Sequence, residues 1–297
     1  MQASTTIQKD LLILHLTVLV WGFTGILGKL ITIDAIPLVW IRVAIASLTL
    51  LVYIAITGYK SLFVSKIKIA KYLATGGIVA IHWILFFHAI KISTVSVALV
   101  ALSAATLFTS IIEPLIKGKS ILIQDVVIGL CIIVGIVMIF KFETNYTLGI
   151  IVGLCSAVGS ALFATINSTL VKGNDPKIIG FYELLGAFIW VSLYQLFTGN
   201  LSLNNLNISP TDWLWLGLLG TVCTALAYVA GVRVMRSLSA FRVALVTNLE
   251  PVYGILLAFL IFGTSEQMTT GFYIGTLIIL SAIFIYPIYK KKKGLVH

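Results

Sequence analysis

Ten transmembrane helices, arranged as two related five-helix halves of an all-α integral membrane protein, are the fold class this sequence predicts. Three observations carry that expectation. Hydrophobic residues make up 60% of the 297 positions and charged residues only 10%, against about 45–50% and about 25% in soluble domains. Apolar stretches long enough to cross a bilayer, roughly 20 residues each, recur with only short polar gaps. The two halves of the chain also show a faint self-similarity.

The spans are placed at 11–30, 37–57, 72–90, 94–114, 123–140, 147–171, 178–197, 213–232, 239–262 and 270–288. They are too long for barrel strands and lack strand alternation. Only Lys9 precedes the first apolar run as a basic residue, and no small-residue cleavage site closes that run, so the first helix is expected to be retained. Cys131, Cys155 and Cys223 fall inside spans without metal or redox spacing and read as small apolar fillers. The longest polar loop is 198–212.

Net charge of +10 gives topology here rather than nucleic-acid binding. With the N-terminus in the cytoplasm, the inner side receives Lys9, Lys60, Lys66, Lys68, Lys71, Lys117, Lys119, Lys172, Lys177, Arg233, Arg236, Arg242 and Lys290 to Lys293, sixteen of the twenty basic residues. The outer side keeps Lys29, Lys91 and Lys141. This asymmetry predicts a multi-pass protein with both termini cytoplasmic, and the last lysine run is suited to anionic headgroups.

Val97-Ala98-Leu99-Val100 recurs as Val243-Ala244-Leu245-Val246, and Leu115-Ile116-Lys117-Gly118 as Leu260-Ile261-Phe262-Gly263, at separations of 146 and 145. Glu113-Pro114 and Glu250-Pro251 are 137 apart, which breaks that register, so their identity is coincidental. The repeats are assigned to 1–141 and 142–297. Five helices is an odd number, so the second repeat is expected upside down relative to the first, the arrangement of many secondary transporters. In this register Thr106 matches Pro251, Phe108 matches Tyr253 and Trp83 matches Tyr228.

Trp21-Gly22 in the first span, Arg42 in the second, Lys91 before the fourth and Leu249-Glu250-Pro251-Val252 in the ninth together resemble the drug/metabolite transporter superfamily, EamA type, each half of the chain looking like one EamA domain. The resemblance implies a bacterial inner-membrane permease, most often an exporter of amino acids or related metabolites. It also covers exporters of drug-like amphipathic solutes. One departure is Ala105-Thr106 where such proteins often carry Thr-Pro, which removes the basis for a hinge in the fourth span.

Ionisable groups inside a membrane are costly, at least about 2.5–3.5 kcal/mol on insertion scales, and each is a functional candidate. Glu250 lies mid-span, and Pro251 offers no amide hydrogen to the carbonyl of Thr247, so a helix break with Asn248 beside it is expected. Two readings of Glu250 stand side by side: a substrate or proton site at that break, or a protonated acid that fixes packing. His82, with Trp83 beside it and Phe86 one turn on, is open to the same pair of readings, as substrate or proton-coupling residue or as an interhelical tie. Asn167 is divided equally between solute and neighbouring helix. Trp21, beside Gly22, Thr24, Gly25 and Gly28, either shapes a cavity wall or marks close helix approach.

Arg42, near the outer end of its span, is expected to snorkel or bond carbonyls. Glu113 is explained by an interfacial pair with Lys117. Glu183, Gly186, Trp190 and Tyr194 form one helical stripe, either a pathway wall or an interfacial belt. His15 and His88 carry less weight. The substrate-binding set is therefore His82, Trp83, Tyr228, Glu250, Trp21, Asn167 and Asn248, with Glu250 and His82 as proton-coupling candidates. No catalytic residue, metal or cofactor is expected: there is no ATP-binding loop, nucleophile elbow or ligand cluster. Expected partners are a small-molecule substrate and the lipid bilayer, with no nucleic acid, and the sequence sets no oligomeric state.

Overall fold

In hydrocarbon every backbone polar group must be satisfied within the chain, and continuous apolar segments therefore close into helices. The computed structural model describes residues 2–142, 144–199 and 208–292, and all regular structure among them is helical. Most of the 198–212 loop and the last lysine of the 290–293 run lie outside the described residues.

The helices are α1 (Gln2–Leu30), α2 (Ala35–Gly58), α3 (Lys66–Ile92), α4 (Val95–Leu102), α5 (Ala105–Ile116), α6 (Ile123–Phe142), α7 (Thr147–Leu170) and α8 (Pro176–Phe197). They continue as α9 (Pro210–Gly220), α10 (Ala227–Val234), α11 (Ala240–Thr247), α12 (Leu249–Phe262) and α13 (Thr270–Lys292). A π-helical turn, Thr221–Leu226, joins α9 to α10. Eight segments are long and apolar enough to cross a membrane: α1, α2, α3, α4 with α5, α7, α8, α9 with α10, and α11 with α12. On α6 and α13, which carry the spans expected at 123–140 and 270–288, the apolar stretches among the described residues are the shorter Leu130–Ile139 and Thr270–Ala282.

Helix starts follow their local chemistry. Asp175 and Ser209 accept hydrogen bonds from the amides of Lys177 and Asp212, each with a proline at the first helical turn, where its missing N–H costs nothing. The hydroxyls of Thr94 and Ser239, 145 residues apart, cap α4 and α11 in the same way.

The fourth and ninth spans are each interrupted. In the ninth, α11 ends at Thr247 and α12 begins at Leu249, so the break sits at Asn248, three residues before Pro251. The fourth breaks at Ser103 and Ala104, where no proline stands; Pro114 lies ten residues on, inside α5. At the break the Ser103 hydroxyl donates to the Val100 carbonyl at 2.5 Å, the Ser103 amide is shared between the Leu99 and Val100 carbonyls, and the Ala104 amide bonds Ala101. Such local bonding tightens a turn and competes with the α-helical ladder. Both short helices run eight residues, and their boundaries differ by 145 at each end.

Packing between the two halves has a reciprocal pattern. Helix α3 packs on α8 and α7, while α2 packs on α8 and α9 and α1 packs on α10; α5 and α4 meet α7, while α12 meets α1. Helices α6 and α13 pack on one another, apart from the main core. The closest approach is the crossing of α3 and α8. A Cβ at Gly76 would run into the carbonyl oxygen of Glu183 and lie 2.7 Å from the amide of Ala187, and one at Gly186 would lie 2.5 Å from the carbonyl oxygen of Leu73. Small residues allow backbones to meet in this way.

Polar ties close both ends of the bundle. Where α1 ends, the Glu266 carboxylate accepts from the amides of Val95 and Ser96 and the Ser96 hydroxyl, at 3.1, 3.0 and 2.8 Å, and pairs with Lys29 at 2.7 Å. Asp212 accepts from the amide and hydroxyl of Thr32 at that end. At the end where α1 begins, the Glu113 carboxylate accepts from the amides of Ala240 and Phe241 and pairs with Lys117, while Ser237 donates to Asp10. Glu113 thus does more than form the expected surface pair. Each broken helix has its positive N-terminus stoppered by a carboxylate from the other half of the chain.

Because backbone atoms fill the Gly76 contact, Gly76→Val is expected to lower the apparent melting temperature of the detergent-solubilised protein by several degrees, equivalent to about 1–3 kcal/mol of overpacking. An unchanged melting curve and an unchanged monodisperse size-exclusion peak would show that α3 and α8 do not cross there.

Candidate functional site

Two adjoining cavities of about 60 and 70 Å³ lie inside the main bundle and share Trp21, Phe163, Thr247 and Glu250 as lining residues. The helix breaks of α4/α5 and α11/α12 border them, through Leu102, Ser103, Thr247 and Asn248. One lobe is mainly apolar, with Leu99, Ala105, Met235 and Val243 in its wall. The other is polar and aromatic: Arg42, His82, Trp83, Phe86 and Tyr228 line it, and Cys223 is the cysteine that faces it.

Helix α3 presents His82, Trp83 and Phe86 together because three or four residues complete a turn. His82 Nδ1 lies 2.9 Å from the Ser156 carbonyl oxygen and 2.8 Å from its hydroxyl oxygen, and that hydroxyl donates back to the His82 carbonyl. This network assigns the proton to Nδ1 and leaves Nε2 as an acceptor. Trp83 and Tyr228, matched in the repeat register, meet edge to face with centroids 5.8 Å apart. Phe163 packs between the His82 and Tyr228 rings, at 5.3 and 6.2 Å. Trp21 reaches the same space because Gly231 leaves room: a Cβ there would come within 2.8 Å of the indole.

Glu250 is 5% exposed and lines both lobes. Among the described residues its carboxylate has no hydrogen-bond or ion-pair partner. Asn248 lies beside it, its amide nitrogen donating to the Thr106 hydroxyl and the Ala244 carbonyl at 2.5 and 2.9 Å. The two broken spans are thereby joined at their breaks.

Arg42 departs most from expectation. It neither snorkels nor bonds a carbonyl; it is 2% exposed, its Nε donating to the Thr224 hydroxyl at 2.6 Å and its guanidinium carbon standing 3.9 Å from the Trp83 ring centroid. Thr224 sits in the π-helical turn and donates its own proton to the Leu219 carbonyl, so its lone pair is free for Arg42. A π-turn re-aims side chains and often marks a functional site.

Asn167 borders neither lobe. Fully buried behind Tyr228, it donates to Glu183 at 3.1 Å and to the Tyr228 hydroxyl at 3.3 Å, and Tyr228 donates to the same Glu183 oxygen at 2.6 Å. The expected stripe on α8 divides at the glycine crossing: Glu183 is enclosed, while Trp190 and Tyr194 are about half exposed and line an outward-facing groove of about 390 Å³ beside α3. His15 and His88 are exposed and point away from the cavities. No cluster of three or more His, Cys, Asp or Glu side chains suited to a metal occurs among the described residues.

A multi-helix bundle of apolar spans enclosing a polar pocket that holds charge has the form of a permease. The sequence profile of the EamA-like transporter family matches residues 8–141 and again 147–286. The chain belongs to the EamA-like transporter family. A curated relative from Archaeoglobus fulgidus, described as an uncharacterized transporter, is 27% identical over 154 residues, 52% of this chain. The match spans about half, 53%, of that relative's length. One solved crystal structure superposes with a TM-score of 0.70 over 95% of this chain and 98% of its own, at 14% identity, a likeness that shows the fold alone. The match places this EamA-like protein in a family of transporters, and its apolar helices make it a multi-pass membrane protein.

Thr224→Val keeps the shape of the side chain and removes the oxygen that Arg42 meets. It is expected to destabilise the EamA-like protein by about 1.5–3 kcal/mol, the range for a hydrogen bond to a charged group, read as a lowered apparent melting temperature that Thr224→Ser restores. A valine variant as stable as wild type would mean that the guanidinium finds another partner.

Proposed function

We propose that this protein is a ten-helix permease of the bacterial inner membrane, with both termini cytoplasmic, that exports amino acids or related small metabolites by alternating access. Its repeats, 1–141 and 142–297, are related by inversion. The observation that carries the reading is a cavity beside the breaks of two interrupted helices, each stoppered at its N-terminus by a carboxylate from the other half of the chain. Reciprocal packing between the halves supports an exchange of roles between them, and the equal lengths and shared 145-residue offset of α4 and α11 support the inverted pairing.

We read the seated Glu266 and Glu113 as two closed gates. Release of Glu266 from α4 opens one side, and release of Glu113 from α11 opens the other. The broken helices let the outer segments tilt while the Asn248 to Thr106 contact holds the centre. His82, Trp83, Tyr228, Trp21 and Asn248 contact the solute, and Glu250 or His82 carries a proton where transport is coupled. Asn167 supports Tyr228 from behind.

Counterflow in proteoliposomes tests the function directly. Vesicles preloaded with one unlabelled amino acid are expected to accumulate its labelled form saturably above empty vesicles for a subset of the panel, and silence with inserted, folded protein would exclude amino-acid carriage. Glu250→Gln is expected to insert normally yet lose or decouple transport; full wild-type transport at every pH would remove Glu250 from the mechanism.

The stoppers make a separate prediction about sidedness. In a Cys131→Ser, Cys155→Ser background, Glu266→Gln should raise labelling of Cys223 by a membrane-impermeant thiol reagent from one face, and Glu113→Gln from the opposite face. Equal labelling from a single face in both variants would refute the two-gate scheme.

A further inference from the structure

The guanidinium of Arg42 is a cation enclosed in an apolar bundle with very little protein to answer it. Its guanidinium carbon lies 3.9 Å from the Trp83 ring centroid and 5.3 Å from that of Phe87. Of its five donors, the Nε–H reaches Thr224, and Nη1 is buried without a hydrogen-bond partner. No carboxylate among the described residues lies within 4 Å of it; Glu250 acts on it only at longer range. Arg42 lines the polar lobe. A buried guanidinium with unanswered donors at the wall of a cavity is suited to an oxyanion.

The opposite chemistry stands within the same cavity. Glu250 lines both lobes and has no partner among the described residues, so it is complementary to an ammonium group. Beyond it, Leu99, Leu102, Met235 and Val243 form an apolar stretch of the second lobe's wall, among Ser103, Thr109 and Asn248, and that stretch can take a hydrocarbon side chain. A phosphorylated solute suits this arrangement poorly, since one arginine faces its multiple charges and Glu250 repels them.

We propose that Arg42 is the specificity-determining anchor for the carboxylate of the cargo, beside Trp83, with the ammonium at Glu250 and an apolar side chain in the second lobe. This rests on the carrier reading above and narrows its substrates to zwitterions with aliphatic side chains. The carboxylate is what the site reads: the same molecule with that group amidated or removed leaves the guanidinium edge unpaired and is rejected.

The test is thermal-shift titration of the purified full chain in detergent with L-leucine, L-leucinamide and isoamylamine, run beside leucine counterflow. Wild type is expected to bind leucine at least about tenfold more tightly than either analogue, the size that loss of a charged hydrogen bond gives. Arg42→Lys should keep a preference for the acid in weakened form, and Arg42→Gln should bring the ratio toward one. Should Arg42→Gln fail to fold, the wild-type ratios and the lysine variant still decide. Equal binding of all three ligands by wild type, an undiminished ratio in Arg42→Gln, or no shift with any ligand would overturn the proposal and leave Arg42 as a tie to the π-turn. Discrimination without leucine counterflow would uphold the anchor and refute the carrier reading, so the two failures are separable.

Discussion

A charged side chain within an apolar bundle must find its partner inside the protein or in whatever enters it, because the bilayer core supplies none. Arg42, Glu183 and Glu250 meet that constraint in three ways. Glu183 is enclosed by Tyr228 and Asn167, which both donate to one of its oxygens. Arg42 has an aromatic contact and one hydroxyl, and Glu250, with no hydrogen-bond or ion-pair partner among the described residues, has only the longer-range charge of Arg42. The gradient from enclosed to open separates scaffold from site: Glu183 positions Tyr228 from behind, and Tyr228 in turn forms wall. The π-turn that presents Thr224 and the glycine crossing that brings α3 against α8 at Glu183 both serve to house these groups.

Much of the architecture was legible from composition and apolar run length, since a helix is the one open-chain solution for an apolar span. Eight of the ten expected spans correspond to segments of full crossing length. Thr94 and Ser239, 145 residues apart, cap short helices of equal length, and Trp83 touches Tyr228, also 145 residues apart. What escaped the sequence was the break in the fourth span. Proline is a visible breaker, whereas the hydroxyl of Ser103 acts through a rotamer and a local bond that no residue count reveals.

Site residues were legible in depth more than in direction. Trp21, His82, Trp83, Tyr228, Asn248 and Glu250 do share one pair of cavities, because mid-span polar and aromatic residues at equal depth converge wherever helices enclose a void. Asn167 shares the depth but turns toward Glu183, a choice set by a neighbouring helix. Arg42 was misplaced for the same reason. Its distance from the helix end suggested snorkelling, but α9 and the π-turn cover that side of α2. On α8 the spacing of Glu183, Trp190 and Tyr194 correctly gives one face, yet the close crossing at Gly186 places the core on one side of the contact and the outward groove on the other.

The join between Asn248 and Thr106 shows why binding and movement converge on one place. A continuous helix transmits a tilt along its whole length, whereas a broken one lets one segment move while the other stays. Two such breaks linked at their centres leave four half-helices pivoting about a shared polar contact. The same breaks expose backbone and side-chain polar groups that hydrocarbon would otherwise forbid, which is the setting in which Glu250 can stand without a protein partner. The carboxylate stoppers at the far ends of α4 and α11 act on the lever arms of those pivots, where a small displacement at the centre becomes a larger one at the mouth. In the cycle proposed above, opening one mouth breaks several charge-assisted hydrogen bonds there, while those kept at the other hold it shut; occupancy of the cavity then bears on both ends through one hinge, with no direct connection between the mouths.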